Sequence, residues 1–131
     1  MGDWHTEIDV RGVHKFEGDE SHKDGGMDAG PSPGELLLAS VATCMCLAVK
    51  HIAQKRRVAI RGLSVDATGE ADREAFRYGE VHLVVHAELP QEELNAIVAV
   101  AKRYCWVSNT LAGGCPVVTT AEPVVMVEAD K

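Results

Sequence analysis

Four cysteines and six histidines are the residues of this 131-residue chain whose types could carry redox or metal chemistry. Cys44 and Cys46 flank Met45 in the middle of an apolar run. On a helix, residues two apart point about 200° from each other, so these two thiols cannot share one ion without unwinding the turn. Together with Cys105 and Cys115 they also lack the paired C-x-x-C spacing of a structural zinc site. His82 and His86 fall on one strand face but lie about 13 Å apart at roughly 3.3 Å per residue, so the histidines read mostly as surface residues. Thiol chemistry fits the spacing better than metal binding. Its competitor is plain packing, because free Cys is among the most buried residue types, and Cys46 is assigned to that role. Cys44 differs in that Cys105 closes the buried stripe of a second helix, and two core helices that each offer one central cysteine can build a dithiol pair. Cys44 would lie about three turns into its helix, where the dipole lowers a thiol pKa only weakly. Its activation needs a nearby cation such as Arg11 or Arg103.

The element that must position Cys44 opens at Ser32-Pro33-Gly34-Glu35. Ser at the N-cap, Pro at the first helical position and Glu at N3 form a capping box, which satisfies backbone N–H groups that a first turn leaves unpaired. From Leu36 to Val49 the helix carries no charge, and it ends in Lys50, His51, Lys55, Arg56 and Arg57. A bilayer span needs roughly 20 apolar residues, so this reads as a core helix that must be covered on nearly every side, by a sheet and by a second subunit. Cys105 depends on a second helix that starts at Pro90-Gln91-Glu92-Glu93, with Leu94, Ile97, Val98, Ala101 and Tyr104 or Cys105 on one stripe. Helical character continues, with a kink, through Trp106 to Leu111 and stops at Gly113-Gly114.

Strands fill the remainder. Trp4 to Val10 and Val13 to Phe16 read as a pair turning at Arg11-Gly12, followed by a polar, glycine-rich loop from Glu17 to Gly30. Leu63 to Thr68 and Phe76 to Leu89 alternate, with Leu63, Val65, Ala67, Val81, Leu83, Val85 and Ala87 inward, and form an antiparallel hairpin across a turn at Gly69 to Arg73. Val117 to Val127, interrupted by Pro123, reads as one or two edge segments. The order of strands, long helix, hairpin, helix and strand is α+β, an antiparallel sheet with its helices on one side.

Nothing divides residues 1–131, which read as a single domain able to bury roughly two thirds of its unfolded surface. Twenty acidic against thirteen basic side chains give a net charge of -7, which argues against nucleic acid, since binding it draws on Lys and Arg at phosphates. No membrane partner is expected either. Met-Gly-Asp-Trp-His shows neither a basic n-region nor an apolar h-region, so the expected location is cytoplasmic, where cysteines stay reduced.

The stretch from Gly30-Pro31-Ser32-Pro33-Gly34-Glu35-Leu36-Leu37-Leu38 to Ala42-Thr43-Cys44, then Gly62-Leu63-Ser64-Val65 and Gly69-Glu70, and finally Lys102-Arg103-Tyr104-Cys105-Trp106-Val107-Ser108-Asn109-Thr110-Leu111, resembles the OsmC/Ohr family of hydroperoxide-reducing proteins. The resemblance covers roughly residues 13 to 127 and is closer to the broader OsmC-like group than to the organic hydroperoxide resistance branch. It implies an intertwined homodimer whose sheets wrap two central helices, with each site at the interface. It also implies Cys44 as the peroxidatic thiol, Cys105 as the resolving thiol, a hydroperoxide substrate, a cellular dithiol as reductant, and no metal or organic cofactor. The family's catalytic arginine, expected from the partner's N-terminal strands, has Arg11 as its match. The carboxylate that orients it falls at Gly34, with Glu35 next to it as the candidate substitute. Cys46 and Cys115 are additional thiols. Walls formed by Leu37, Val41, Met45 and Ala48 would favour an alkyl hydroperoxide over hydrogen peroxide. The alternative is a non-enzymatic member of the fold that binds an apolar ligand or a partner in the interface cleft.

Overall fold

The computed structural model of the chain describes residues 3–123. The chain begins with an antiparallel hairpin of β1 (Thr6–Val10) and β2 (His14–Gly18), in register at Ile8 and Phe16. Arg11 and Gly12 both take left-handed conformations, at φ 59° and 71°, and the Val13 N–H closes on the Val10 carbonyl at 3.1 Å. That geometry is a primed turn, whose twist matches the strands it joins. The Asp9 carboxylate accepts the Gly12 N–H at 2.6 Å and fixes the corner.

The loop that follows is wound around one buried carboxylate. Asp19 is 2% exposed and accepts the backbone N–H groups of Glu20 at 2.7 Å and of Met27 and Ala29 at 3.2 Å each. Its own N–H reaches the Pro31 carbonyl, so the loop delivers the chain to the helix cap. There α1 (Pro33–Lys55) starts with the expected capping box: the Ser32 N–H donates to Glu35 Oε1 at 2.9 Å and the Glu35 N–H to Ser32 Oγ at 3.3 Å.

Helix α1 is the axis of the core. At 23 residues it is long and apolar enough to cross a membrane by length and composition alone, but one face is occupied by protein. Val41, Met45, Ala48, Val49, Ile52 and Ala53 are buried on it, and Leu94, Ile97 and Ala101 of α2 (Gln91–Ala101) are buried with them. The opposite face lies open within one chain, with Thr43 exposed and Leu47 60% exposed. The second hairpin, β3 (Ser64–Asp72) with β4 (Arg77–His86), supplies Val65, Leu83 and Val85 against the core, as alternation requires.

Three expectations shift. The two hairpins form separate two-stranded sheets, and β1–β2 packs substantially on neither helix of its own chain. Pairing in β3–β4 runs past Gly69 to Asp72 opposite Arg77, because an irregularity between Glu70 and Ala71 absorbs the register change and moves the turn to residues 73–76. Residues 117–123 form no strand, and the rest of the expected segment lies outside the described residues. After α2, a single 3₁₀ turn at Lys102–Tyr104 supplies the expected kink before α3 (Trp106–Ala112).

Candidate thiol site and its cavity

Cys105 is fully buried at the N-cap of α3, where the 3₁₀ turn swings it inward and leaves Tyr104 51% exposed. The stripe of α2 therefore closes on the cysteine and not on the tyrosine. Its thiol donates to Ser108 Oγ at 3.1 Å, a contact set by the three-residue spacing from N-cap to N3. Around it stand Met45, Ala48, Val49 and Ile52 of α1 and Ile97 and Ala101 of α2, and half-buried Cys44 packs against this same group. The expected thiols thus come to one core cluster, and both are free. Cys46 is half-buried and outside that cluster, while Cys115 is exposed.

The charged candidates are elsewhere. Arg11 sits exposed in the β1–β2 turn, on a hairpin without substantial packing on α1. Glu35 spends its carboxylate on the cap. Hydrogen bonds from the Ser32 backbone and then its side chain hold its pKa below the usual range. Arg103 is exposed, and its carbonyl accepts from Asn109 Nδ2 at 3.1 Å. Among the described residues no cysteine belongs to a group that could hold a metal, and the three-residue group that could, Glu70, Glu80 and His82, lies on the exposed face of β3–β4.

Next to the thiol cluster is a cavity of about 1060 Å³ between the first turns of α1, the hairpin β3–β4 and α3. Gly34, Leu37 and Val41 line it from the helix, one turn apart on the face that continues to Cys44, and Ser108 and Leu111 line it from α3. Of the four expected apolar walls, Leu37 and Val41 are in the lining, whereas Met45 and Ala48 are buried in the core. Two participants were not singled out from sequence. Ser108 could have been found from its C-x-x-S spacing at a helix start; Tyr78, which lines the cavity from β4, has no local signal.

Comparison with known proteins places these features in context. Residues 24–120 match the family model described as OsmC-like protein. A search of curated proteins found no significant match. Among solved structures, an organic hydroperoxide resistance protein OsmC from Legionella pneumophila is 22% identical, with 83% of this chain and 88% of that one covered and a TM-score of 0.64. An OsmC-like protein of unknown function from Vibrio cholerae is 17% identical over 82% of this chain and 79% of that one, with a TM-score of 0.72. The organic hydroperoxide resistance protein OhrB of Bacillus subtilis is 20% identical over 83% and 89%, with a TM-score of 0.58. At these identities the likeness is one of fold.

Proposed function

The chain belongs to the OsmC-like family, and from that premise we propose that it reduces organic hydroperoxides with Cys44 as the attacking and Cys105 as the resolving thiol. The observation that carries this reading is the convergence of both free thiols on one core cluster beside a cavity with an apolar wall. A cavity whose apolar wall is Leu37, Val41, Val81, Leu83 and Leu111, with Asp72, Arg73 and Arg77 also in its lining, suits a substrate that carries a hydrocarbon substituent.

In the reaction, the Cys44 thiolate attacks the terminal oxygen of the hydroperoxide and the O–O bond breaks. The departing alkoxide takes up a proton and leaves as alcohol, and Cys44 becomes a sulfenic acid. The Cys105 thiol then attacks that sulfur, an S–S bond forms and water departs, which stops further oxidation to sulfinic acid. A cellular dithiol reduces the disulfide by exchange and is itself oxidised. The two thiols need different things: attack requires a thiolate, whereas resolution requires proximity.

Activation of Cys44 rests, in this reading, on a second copy of the chain. Hairpin β1–β2 has Val10, Val13 and Phe16 at 41%, 64% and 42% exposure and no substantial packing of its own, and α1 leaves Leu47 uncovered. A homodimer that buries these residues would bring the Arg11 turn of one protomer to the site of the other. There a guanidinium would favour the thiolate and hydrogen-bond the peroxide oxygen as charge develops on it. The expected setting is the reducing cytoplasm, which supplies the dithiol.

A second reading, ligand binding without turnover, is favoured by the engagement of Glu35 in the helix cap, where Oε1 is held by the Ser32 N–H and not by an arginine. Sub-stoichiometric cumene hydroperoxide followed by mass spectrometry separates the two. A Cys44–Cys105 disulfide forming within seconds supports the peroxidase, and unreacted thiols overturn it in favour of the binder.

A further inference from the structure

Tyr78 occupies a place in the cavity wall where its ring covers a strand glycine and its hydroxyl is left with a position that thiol chemistry does not explain. It enters from β4 opposite Ala71, immediately after the irregularity in the hairpin's register, and is half-buried. Its ring lies across Gly69, where a Cβ would sit 2.6 Å from both Cδ1 and Cε1, and its hydroxyl lies against Gly34, where a Cβ would collide with Oη. Two positions far apart in sequence therefore lack a side chain in order to house one ring. Neither vacancy is free of cost, since glycine weakens both a strand interior and a helical turn relative to alanine.

That arrangement sets an uncharged hydroxyl between the apolar wall of Leu37, Val41, Val81, Leu83 and Leu111 and the charged side chains of Asp72, Arg73 and Arg77, which also line the cavity. Ligand pockets recognise small molecules by a few polar groups among apolar ones, and the other hydroxyl in the lining, that of Ser108, accepts from the Cys105 thiol at the other end of the cavity wall. Gly34 precedes Cys44 by ten residues, about 15 Å along the axis at roughly 1.5 Å per residue, so Tyr78 stands at the end of the cavity remote from the thiol. It does not touch the reacting oxygens.

We infer that Tyr78 is a specificity-determining residue of this cavity. Its hydroxyl hydrogen-bonds a polar oxygen carried at the far end of an extended substrate, so the chain selects hydroperoxides by a group distant from the peroxide. The inference rests on the proposed function for the identity of the substrate, and it is tested by binding alone, so the two can fail separately.

The probes are a ten-carbon terminal diol and the corresponding mono-alcohol, the shapes of reduced products with and without the remote oxygen. They are titrated at equilibrium into the reduced wild-type protein, Tyr78→Phe and Gly34→Ala. The wild type is expected to bind the diol about fivefold more tightly than the mono-alcohol, the worth of one neutral hydrogen bond. Tyr78→Phe keeps the ring over Gly69 and should erase the preference while leaving mono-alcohol affinity unchanged. Gly34→Ala, which displaces the hydroxyl from the helix side, should erase it too. Equal affinities in the wild type, no binding of either probe, or a preference that survives in Tyr78→Phe would each overturn the inference. Failure of cumene hydroperoxide to oxidise Cys44 would count against the peroxidase reading and leave this selection standing.

Discussion

Replacing Ile97 by alanine should expose Cys105 to chemistry that the folded protein denies it. Ile97 and Cys105 are both fully buried in the cluster that joins α1 and α2. The substitution removes three carbons, worth about 2.4 kcal/mol at roughly 0.8 kcal/mol each, and a site with no exposure collapses poorly, which adds a cavity cost. The total is about 3–4 kcal/mol. Cys105 can be alkylated only when its surroundings open, and if opening is faster than labelling the rate follows the opening equilibrium. At tenfold per about 1.4 kcal/mol, Cys105 labelling should rise about 100- to 700-fold, while exposed Cys115 in the same molecule keeps its rate and serves as the internal reference. Peptide mass spectrometry after timed iodoacetamide pulses gives each rate, at one protein concentration, since an oligomer's stability depends on concentration. Wild-type Cys105 labelling as fast as Cys115 would refute the burial argument. An unchanged Cys105 rate in Ile97→Ala, alongside a lowered denaturation midpoint, would refute the coupling between this core and the thiol.

Cys44→Ser should abolish peroxide consumption, and Cys105→Ser should allow one turnover and then accumulate oxidised Cys44; equal total loss in single-turnover assays would contradict the separate roles. Sedimentation at micromolar concentration should show a dimer, because one chain leaves Leu47 and the β1–β2 hairpin uncovered, and a folded monomer would sink that reading. Ser32→Ala should cost about 1 kcal/mol in chemical denaturation, since it removes the hydroxyl that caps Glu35, and no change would mean the first turn does not contribute. For Asp19, burial pushes its pKa up, but the N–H groups of Ala29, Glu20 and Met27 outweigh this and hold it below the ordinary value of 3.8. A depressed folded pKa means its contribution is complete above 3.8 and is lost as pH falls through the lower value. The melting-temperature difference between wild type and Asp19→Asn should therefore be full at neutral pH and shrink in strong acid, and a gap that is constant down to the lowest pH would refute this.

Legibility followed the range of the interactions. The cap of α1 is written within four residues, Ser32 to Glu35, and the structure starts the helix at Pro33 as those residues require. The inward set Val65, Leu83 and Val85 follows from alternation, which depends only on a period of two. The hairpin turn moved to residues 73–76 because the irregular pairing between Glu70 and Ala71 keeps Asp72 in the ladder, and no local pattern announces it. Periodicity narrowed the end of the α2 stripe to Tyr104 or Cys105, and the 3₁₀ turn decided between them. Separation of the two hairpins was not legible either: β1–β2 alternates weakly, and in the fold it packs substantially on no helix of its own chain.

The position of Gly34 shows how a departure in sequence can be an exchange in space. Read along the chain, a glycine where a carboxylate was expected looks like a lost function, and the adjacent Glu35 looks like its substitute. The geometry separates the two. Glu35 points back along the helix to the Ser32 N–H, because at N3 that is where a carboxylate completes a capping box. Gly34 faces the cavity, and the volume beside it is filled from β4 by the Tyr78 hydroxyl. A phenol differs from a carboxylate in carrying a donor and no charge at neutral pH. It therefore has little electrostatic hold on a guanidinium, but it can hydrogen-bond a neutral oxygen without the cost of desolvating an ion. If Arg11 of a second copy activates Cys44, it does so here without a carboxylate at Gly34 to fix its orientation. On the inference drawn for Tyr78, a corner where the family resemblance puts a carboxylate would recognise a substrate, with the charges nearest to it in the lining supplied by Asp72, Arg73 and Arg77.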